Sequence, residues 1–179
     1  MKYCFILISL FSVGVMAESI DGEKRVFLEN STGDRLYIAN IEFETVDEKI
    51  FYKLTIVDDP FTDQFLSMRP FQCIMDDRQV MCHVPYPYTK KGYITESDLS
   101  NLSYDLLFLY KSPAEYGINL WNGMFYKLTM QTNSIAGTVY EVDMNVIASP
   151  PENKDVPFAE DEIFDVDTDS YIYPKILIQ

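Results

Sequence analysis

Beyond residue 15 this chain of 179 residues has no apolar run approaching the roughly 18 residues that a membrane helix needs, so a second membrane segment is excluded. It holds one histidine, His83, so a triad or an imidazole metal site would have to be built on that side chain. No GxSxG motif accompanies it, and a packed or surface histidine is the expectation. Bases are scarce: 14 Lys and Arg stand against 28 Asp and Glu, a formal net charge of −14. Such an excess repels phosphate backbones and anionic lipid, which argues against nucleic-acid binding and membrane-surface docking. It leaves cationic partners open: a metal ion, a basic protein or a polyamine-like ligand. The plainer reading of the charge is solubility. Cysteine is scarce too, three residues in all.

What is present begins with residues 1–17. Lys2 makes a short positive start, residues 3–15 (YCFILISLFSVGV) are apolar but too short to span a bilayer, and Val15 and Ala17 occupy small-residue positions. This pattern predicts a secretory signal peptide cut between Ala17 and Glu18. Cys4 lies too early, and lacks a small residue before it, to be a lipoprotein acceptor. Cleavage leaves 162 residues at a formal charge of −15, enough for one β-rich domain (18–179), soluble and periplasmic or secreted. The charge is unevenly spread: residues 136–179 hold ten acidic and two basic side chains.

The mature chain keeps only Cys73 and Cys82, and export makes a disulfide the first expectation. Residues 73–82 (CIMDDRQVMC) are close to symmetric about Asp77 and Arg78. Folded as a hairpin, they pair Ile74 with Met81 and Met75 with Val80 and set the cysteines opposite each other.

Most of the rest alternates as half-buried strands do. Residues 35–45 place Leu36, Ile38 and Asn40 on one side; residues 49–57 place Ile50, Tyr52, Leu54 and Ile56 on one face and Phe51, Lys53 and Thr55 on the other, with a hairpin at 46–48. Further strands are expected over 65–75, 79–84, 104–110, 124–131, 138–147 and 171–178, with 104–110 (YDLLFLY) apolar on both faces as a central strand would be. About eight strands result, forming a single antiparallel β-sandwich or β-barrel. Helix signals are short: Thr95 can cap a turn through 96–102, and Ser112-Pro113-Ala114-Glu115 reads as a capping-box start. The pentapeptide FYKLT occurs at 51–55 and 125–129, read in both copies as core with Tyr and Leu facing inward. Residues 149–170 form an acidic loop before a last strand.

Several groups could carry chemistry. Asp165, Asp167 and Asp169 are spaced as at the start of an EF-hand loop, but Ser170 replaces the turn glycine, Ile176 the bidentate glutamate, and Pro174 interrupts. A standard EF-hand is excluded, leaving a weaker calcium site with Asp161, or a solvated acidic loop. With 28 acidic residues, a pair of carboxylates for hydrolysis carries no information. Residues 84–93 (VPYPYTKKGY) offer Tyr86, Tyr88 and Tyr93 on a proline-stiffened course beside Lys90 and Lys91, which suits partner recognition or tyrosines folded back over a sheet edge. Trp121 would line a barrel pocket with Tyr52 and Tyr126, or sit in a sandwich core. Asn30 and Asn101 head glycosylation sequons, relevant only in a eukaryotic secretory pathway.

These features point to an exported, non-catalytic binding protein. Its acidic face, with Asp161, Glu162, Asp165, Asp167 and Asp169, and its Tyr-Pro loop would engage a basic protein, as an inhibitor or immunity protein does. The alternative is a carrier of a small apolar ligand in a barrel pocket. No convergent catalytic set marks an enzyme, and no cofactor beyond the calcium option is implied.

Overall fold

The two best-defined alternating segments pair as an antiparallel hairpin, β2 (Arg35–Val46) with β3 (Lys49–Ile56), closed by Asp47 and Glu48 between the paired Val46 and Lys49. Asp47 adopts a left-handed φ of 57°, which a tight two-residue turn of this hand requires. A computed structural model describes residues 19–67, 70–151 and 156–179. The expected signal peptide and its cleavage point lie outside the described residues.

In chain order the remaining elements are β1 (Gly22–Glu29), β4 (Thr62–Phe65), β5 (Pro70–Met75), β6 (Val80–His83), β7 (Tyr93–Ile94), α1 (Ser100–Asp105), β8 (Phe108–Lys111), β9 (Gly123–Met130), β10 (Ile135–Val142), β11 (Ile163–Phe164) and β12 (Lys175–Ile178), with short 3-10 turns at Met144–Ile147, Glu160–Glu162 and Thr168–Ser170. Twelve strands rather than eight form one antiparallel sheet in the order β4-β5-β6-β8-β9-β10-β12-β1-β2-β3-β7, with β11 beside the end of β10. The sheet is not closed, so the barrel alternative is corrected. It bends until both halves share one core: Ile41, Phe43 and Ile50 from one side pack in the same cluster as Met81, Phe108 and Tyr126 from the other. Among the described residues no helix is long and apolar enough to cross a membrane.

Where strand boundaries differ from the alternation, local chemistry explains it. Residues 65–75 are not one strand: Phe65 pairs with Pro70 across the β4–β5 hairpin, and proline, without an N–H, opens β5 instead of continuing a ladder. Residues 104–110 divide between α1 and β8. Leu102 and Leu106, four apart, enter the main core while Tyr104 faces a second cluster, a helical rather than a two-residue period. From Phe108 the strand pattern holds, with Phe108 inward and Leu107 and Leu109 outward, so β8 is buried on both faces as a central strand is. β10 stops at Val142 because Asp143 caps the following 3-10 turn through Asn145 N–H. A bulge in β2 opposite Val26 and Phe27 puts both Ile38 and Ala39 in the core. That parity change turns Asn40 outward, where it accepts a hydrogen bond from the Tyr37 hydroxyl at 2.7 Å, so Asn40 does not share the face of Leu36 and Ile38.

The cysteine hairpin forms in the expected register. Cys73 faces Cys82, Ile74 faces Met81 and Met75 faces Val80; the cysteines are disulfide-bonded and fully buried with Val80 on the outer face. A disulfide suggests an oxidising, exported compartment.

Candidate functional site

Strands β6, β8 and β10, with β9 between the last two, carry polar residues at one end of their core-facing side. Along β10 the inward positions run Ile135, Gly137, Val139 and then Glu141; along β8 they run Phe108 and Tyr110; and Gln79 precedes Met81 of β6 by two residues. A strict two-residue period puts these three at the same end of the core. The returning chain between β11 and β12 closes over them with Asp165, Val166, Asp167, Ser170 and Tyr171, leaving a cleft of about 290 Å³.

Glu141 is the floor of this cleft. The Tyr110 hydroxyl donates to its Oε1 at 2.6 Å, and the Tyr171 hydroxyl donates to the same oxygen. Their rings meet edge to face at 5.3 Å. Burial, reinforced by the glutamate they bond, raises both phenols above the usual tyrosine range, so both remain protonated donors. Gln79 is only 6 % exposed, and its Oε1 accepts from Ile172 N–H at 3.4 Å. The ion pairs seen among the described residues engage Glu29, Asp76 and Asp105, and none engages Glu141, Asp165 or Asp167.

The acidic segment is therefore partly a wall of this cleft. Asp165 and Asp167 line it, although Asp167 also caps the 3-10 turn by accepting from Asp169 N–H. Asp161 and Asp169 are exposed, and Glu162 accepts from Ala159 N–H within its own turn. No three His, Cys, Asp or Glu among the described residues are gathered to hold a metal ion.

The Tyr-Pro loop follows its fold-back alternative. Tyr86, 5 % exposed, joins Tyr104, Phe125 and Phe158 in an aromatic cluster on the outer face, with Tyr88 packed edge-on against it at 5.4 Å. Lys90 pairs with Asp105 at 2.5 Å, Lys91 is exposed and its N–H is bound to Asn101 Oδ1, and Tyr93 packs against Phe51. Asp105 also accepts from the Tyr52 hydroxyl at 2.7 Å, and its carbonyl oxygen accepts from His83 Nε2 at 2.7 Å. Thus Tyr52, His83, Lys90 and Asp105 form one half-buried polar knot beneath α1.

Trp121 is neither pocket nor core: it is 67 % exposed. Asn119 Oδ1 accepts from Trp121 N–H and Asn119 O accepts from Asn122 N–H, a tight turn that points residue 121 outward. Tyr52 and Tyr126 do share the main core; Tyr126 is fully buried against Phe108 and its hydroxyl is held by the Tyr173 carbonyl at 2.7 Å. Two wider depressions, about 570 and 320 Å³, lie along the solvent face of β1, β2 and β3. Their walls mix Lys24, Arg25 and Lys53 with Glu23 and Glu42, so they offer no single charge to a ligand.

Gln79, Tyr110, Glu141 and Tyr171 were not foreseen as a group. One signal was readable: a glutamate at the fourth inward position of an otherwise apolar face calls for a partner. No family model, curated protein or solved structure matches this chain, which leaves the chemistry of the cleft as the guide to what it does.

Proposed function

We propose that this is an exported, non-catalytic binding protein, periplasmic or secreted, whose acidic C-terminal segment engages a basic protein in the manner of an inhibitor or immunity protein. One observation supports this above the others: Asp165 and Asp167 stand beside Glu141 at one end of the sheet with no cation paired to them among the described residues. Uncompensated carboxylates around a concavity attract a basic surface and speed its encounter. The Tyr-Pro loop has no part in this reading, because its tyrosines are committed to packing. The carrier alternative draws no support from Trp121, which is exposed, or from Tyr126, whose ring and hydroxyl are already engaged.

The test is native mass spectrometry of the protein purified from its own exported fraction, followed by titration of any basic protein that accompanies it. Changing Asp161, Asp165, Asp167 and Asp169 to Asn and Glu162 to Gln is expected to weaken that complex by about tenfold or more at low salt and to flatten its salt dependence. Unchanged affinity and salt dependence would reject the acidic interface.

A further inference from the structure

The chain packs over its own sheet on part of the outer face, in one cluster around Cys73 and Cys82 and another around Tyr104 and Phe125. Across the rest of β9 and across β10, β12, β1 and β2, the outward side chains are exposed or half-buried, and the strand registers set them in two parallel rows. One row runs Lys127, Thr138, Lys175, Glu29, Arg35; the next runs Thr129, Ala136, Leu177, Phe27, Tyr37. We infer that this face docks an acidic peptide segment of a partner protein, with carboxylates on Lys127, Lys175 and Arg35 and apolar side chains on Ala136, Leu177 and Phe27.

Charge complementarity sets the sign of the partner. Glu29 pairs with Arg35 at 2.9 Å and with Lys175 at 3.8 Å, but its side chain is 14 % exposed against 42 % and 57 % for the two cations, so an approaching group meets the cations first. Lys127 lies 5.7 Å over the Tyr140 ring and pairs with no carboxylate among the described residues. The formal charge of −14 repels an acidic partner from afar, yet a Debye length of about 8 Å at physiological salt leaves the contact to the local charges. Neighbouring strands lie about 4.8 Å apart, so the three cations recur about every 10 Å, and the apolar row runs about 7 Å to one side. A flexible peptide crossing the strands reaches both rows at once. An acidic polysaccharide offers carboxylates but nothing apolar for Ala136 and Leu177. A nucleic acid needs open ring faces to stack on, and Tyr37 already carries the Arg25 guanidinium at 5.8 Å and the Phe27 ring at 5.8 Å. The face uses none of residues 161–169, so it goes beyond the acidic-interface reading.

The probe is the peptide acetyl-DEFLDELFDE-amide, titrated by NMR into the full mature chain at about 0.15 M salt. Its controls are the amide version NQFLNQLFNQ, the apolar-free version DESSDESSDE, and polygalacturonate. The probe is expected to shift the Ala136, Leu177 and Phe27 resonances and to bind at least about tenfold tighter than either control peptide. Lys127→Gln, Lys175→Gln and Arg35→Gln together, all at exposed positions, should weaken it about tenfold, while Lys53→Gln, an exposed cation of β3 outside the two rows, should leave it unchanged. Leu177→Thr should weaken it several-fold; should that variant fail to fold in urea titration, Ala136→Glu reads the same row by adding a like charge. Equal binding of DESSDESSDE or of polygalacturonate overturns the inference, as does an effect of Lys53→Gln equal to that of the triple variant. Absence of any shift at millimolar probe overturns it too.

Discussion

Two phenols, Tyr110 and Tyr171, donate to one carboxylate oxygen and so hold the Glu141 side chain in place. His83 shows the opposite economy. Its Nε2 donates to the Asp105 carbonyl, its ring lies 5.3 Å from that of Phe108, and burial holds its pKa below the ordinary 6.5 against the pull of Asp105. The unfolded chain therefore takes up a proton at a higher pH than the folded one. Stability is fully present above about pH 6.5, falls as pH drops below it, and stops falling from this source below the folded value. The urea midpoint should decline from pH 7 to pH 5, and His83→Gln should decline less over that window; identical slopes would remove His83 from the account. At this scale the chain was legible wherever a side chain obeyed the two-residue period. It misled at Asn40, where a bulge reversed parity, and at Trp121, where an asparagine-led turn outweighed hydrophobicity.

Among the elements, the hairpin of residues 73–82 owed its legibility to symmetry: apolar residues mirrored about a polar turn admit one register, and that register opposes the cysteines. Closing a ten-residue loop should contribute about 2 to 3 kcal/mol in the chain-entropy model, so Cys73→Ser with Cys82→Ser is expected to lower unfolding free energy by that amount in urea titrations, with Asp165 and Glu141 resonances unmoved. Gly123, at the head of β9, is a packing requirement of the same order. A Cβ there would stand 2.5 Å from the Val142 carbonyl oxygen, backbone that cannot step aside, so Gly123→Ala should cost about 1 to 3 kcal/mol by the same measurement. The repeated FYKLT shows what pattern cannot decide. In β3, Phe51 is exposed on an open face; in β9, Phe125 is buried under Phe158 and Tyr104, because other chain segments cover that side. Likewise the capping residues at 112–115 bond without starting a helix: Glu115 Oε2 accepts from Ser112 N–H and Ser112 Oγ accepts from Ala114 N–H, while Gly117 turns the chain two residues later and Lys111 binds the Ser112 and Glu115 carbonyl oxygens.

For the whole molecule, the decisive fact is that β12, last in the chain, lies in the middle of the sheet between β10 and β1. Ile176 and Ile178 are fully buried there, and Arg25 and Gln179 exchange backbone hydrogen bonds at 2.9 and 3.1 Å. Burying two isoleucines contributes about 3 to 6 kcal/mol, comparable with the entire stability of about 5 to 15 kcal/mol expected of a domain. Ending the chain at Pro174 should therefore abolish cooperative unfolding by circular dichroism, and a retained sharp transition would show β12 to be dispensable. By itself the amino-acid sequence determined the strand-rich class, the cysteine hairpin, the β2–β3 hairpin and the acidic bias of the C-terminal segment, because each depends on residues close together in the chain. Only the tertiary structure decided that the sheet stays open, that the Tyr-Pro loop folds back over the outer face of the sheet, and that Gln79, Tyr110, Glu141 and Tyr171 meet. Those outcomes depend on pairings across most of the chain length, and periodicity assigns a residue to a face without saying what lies opposite it.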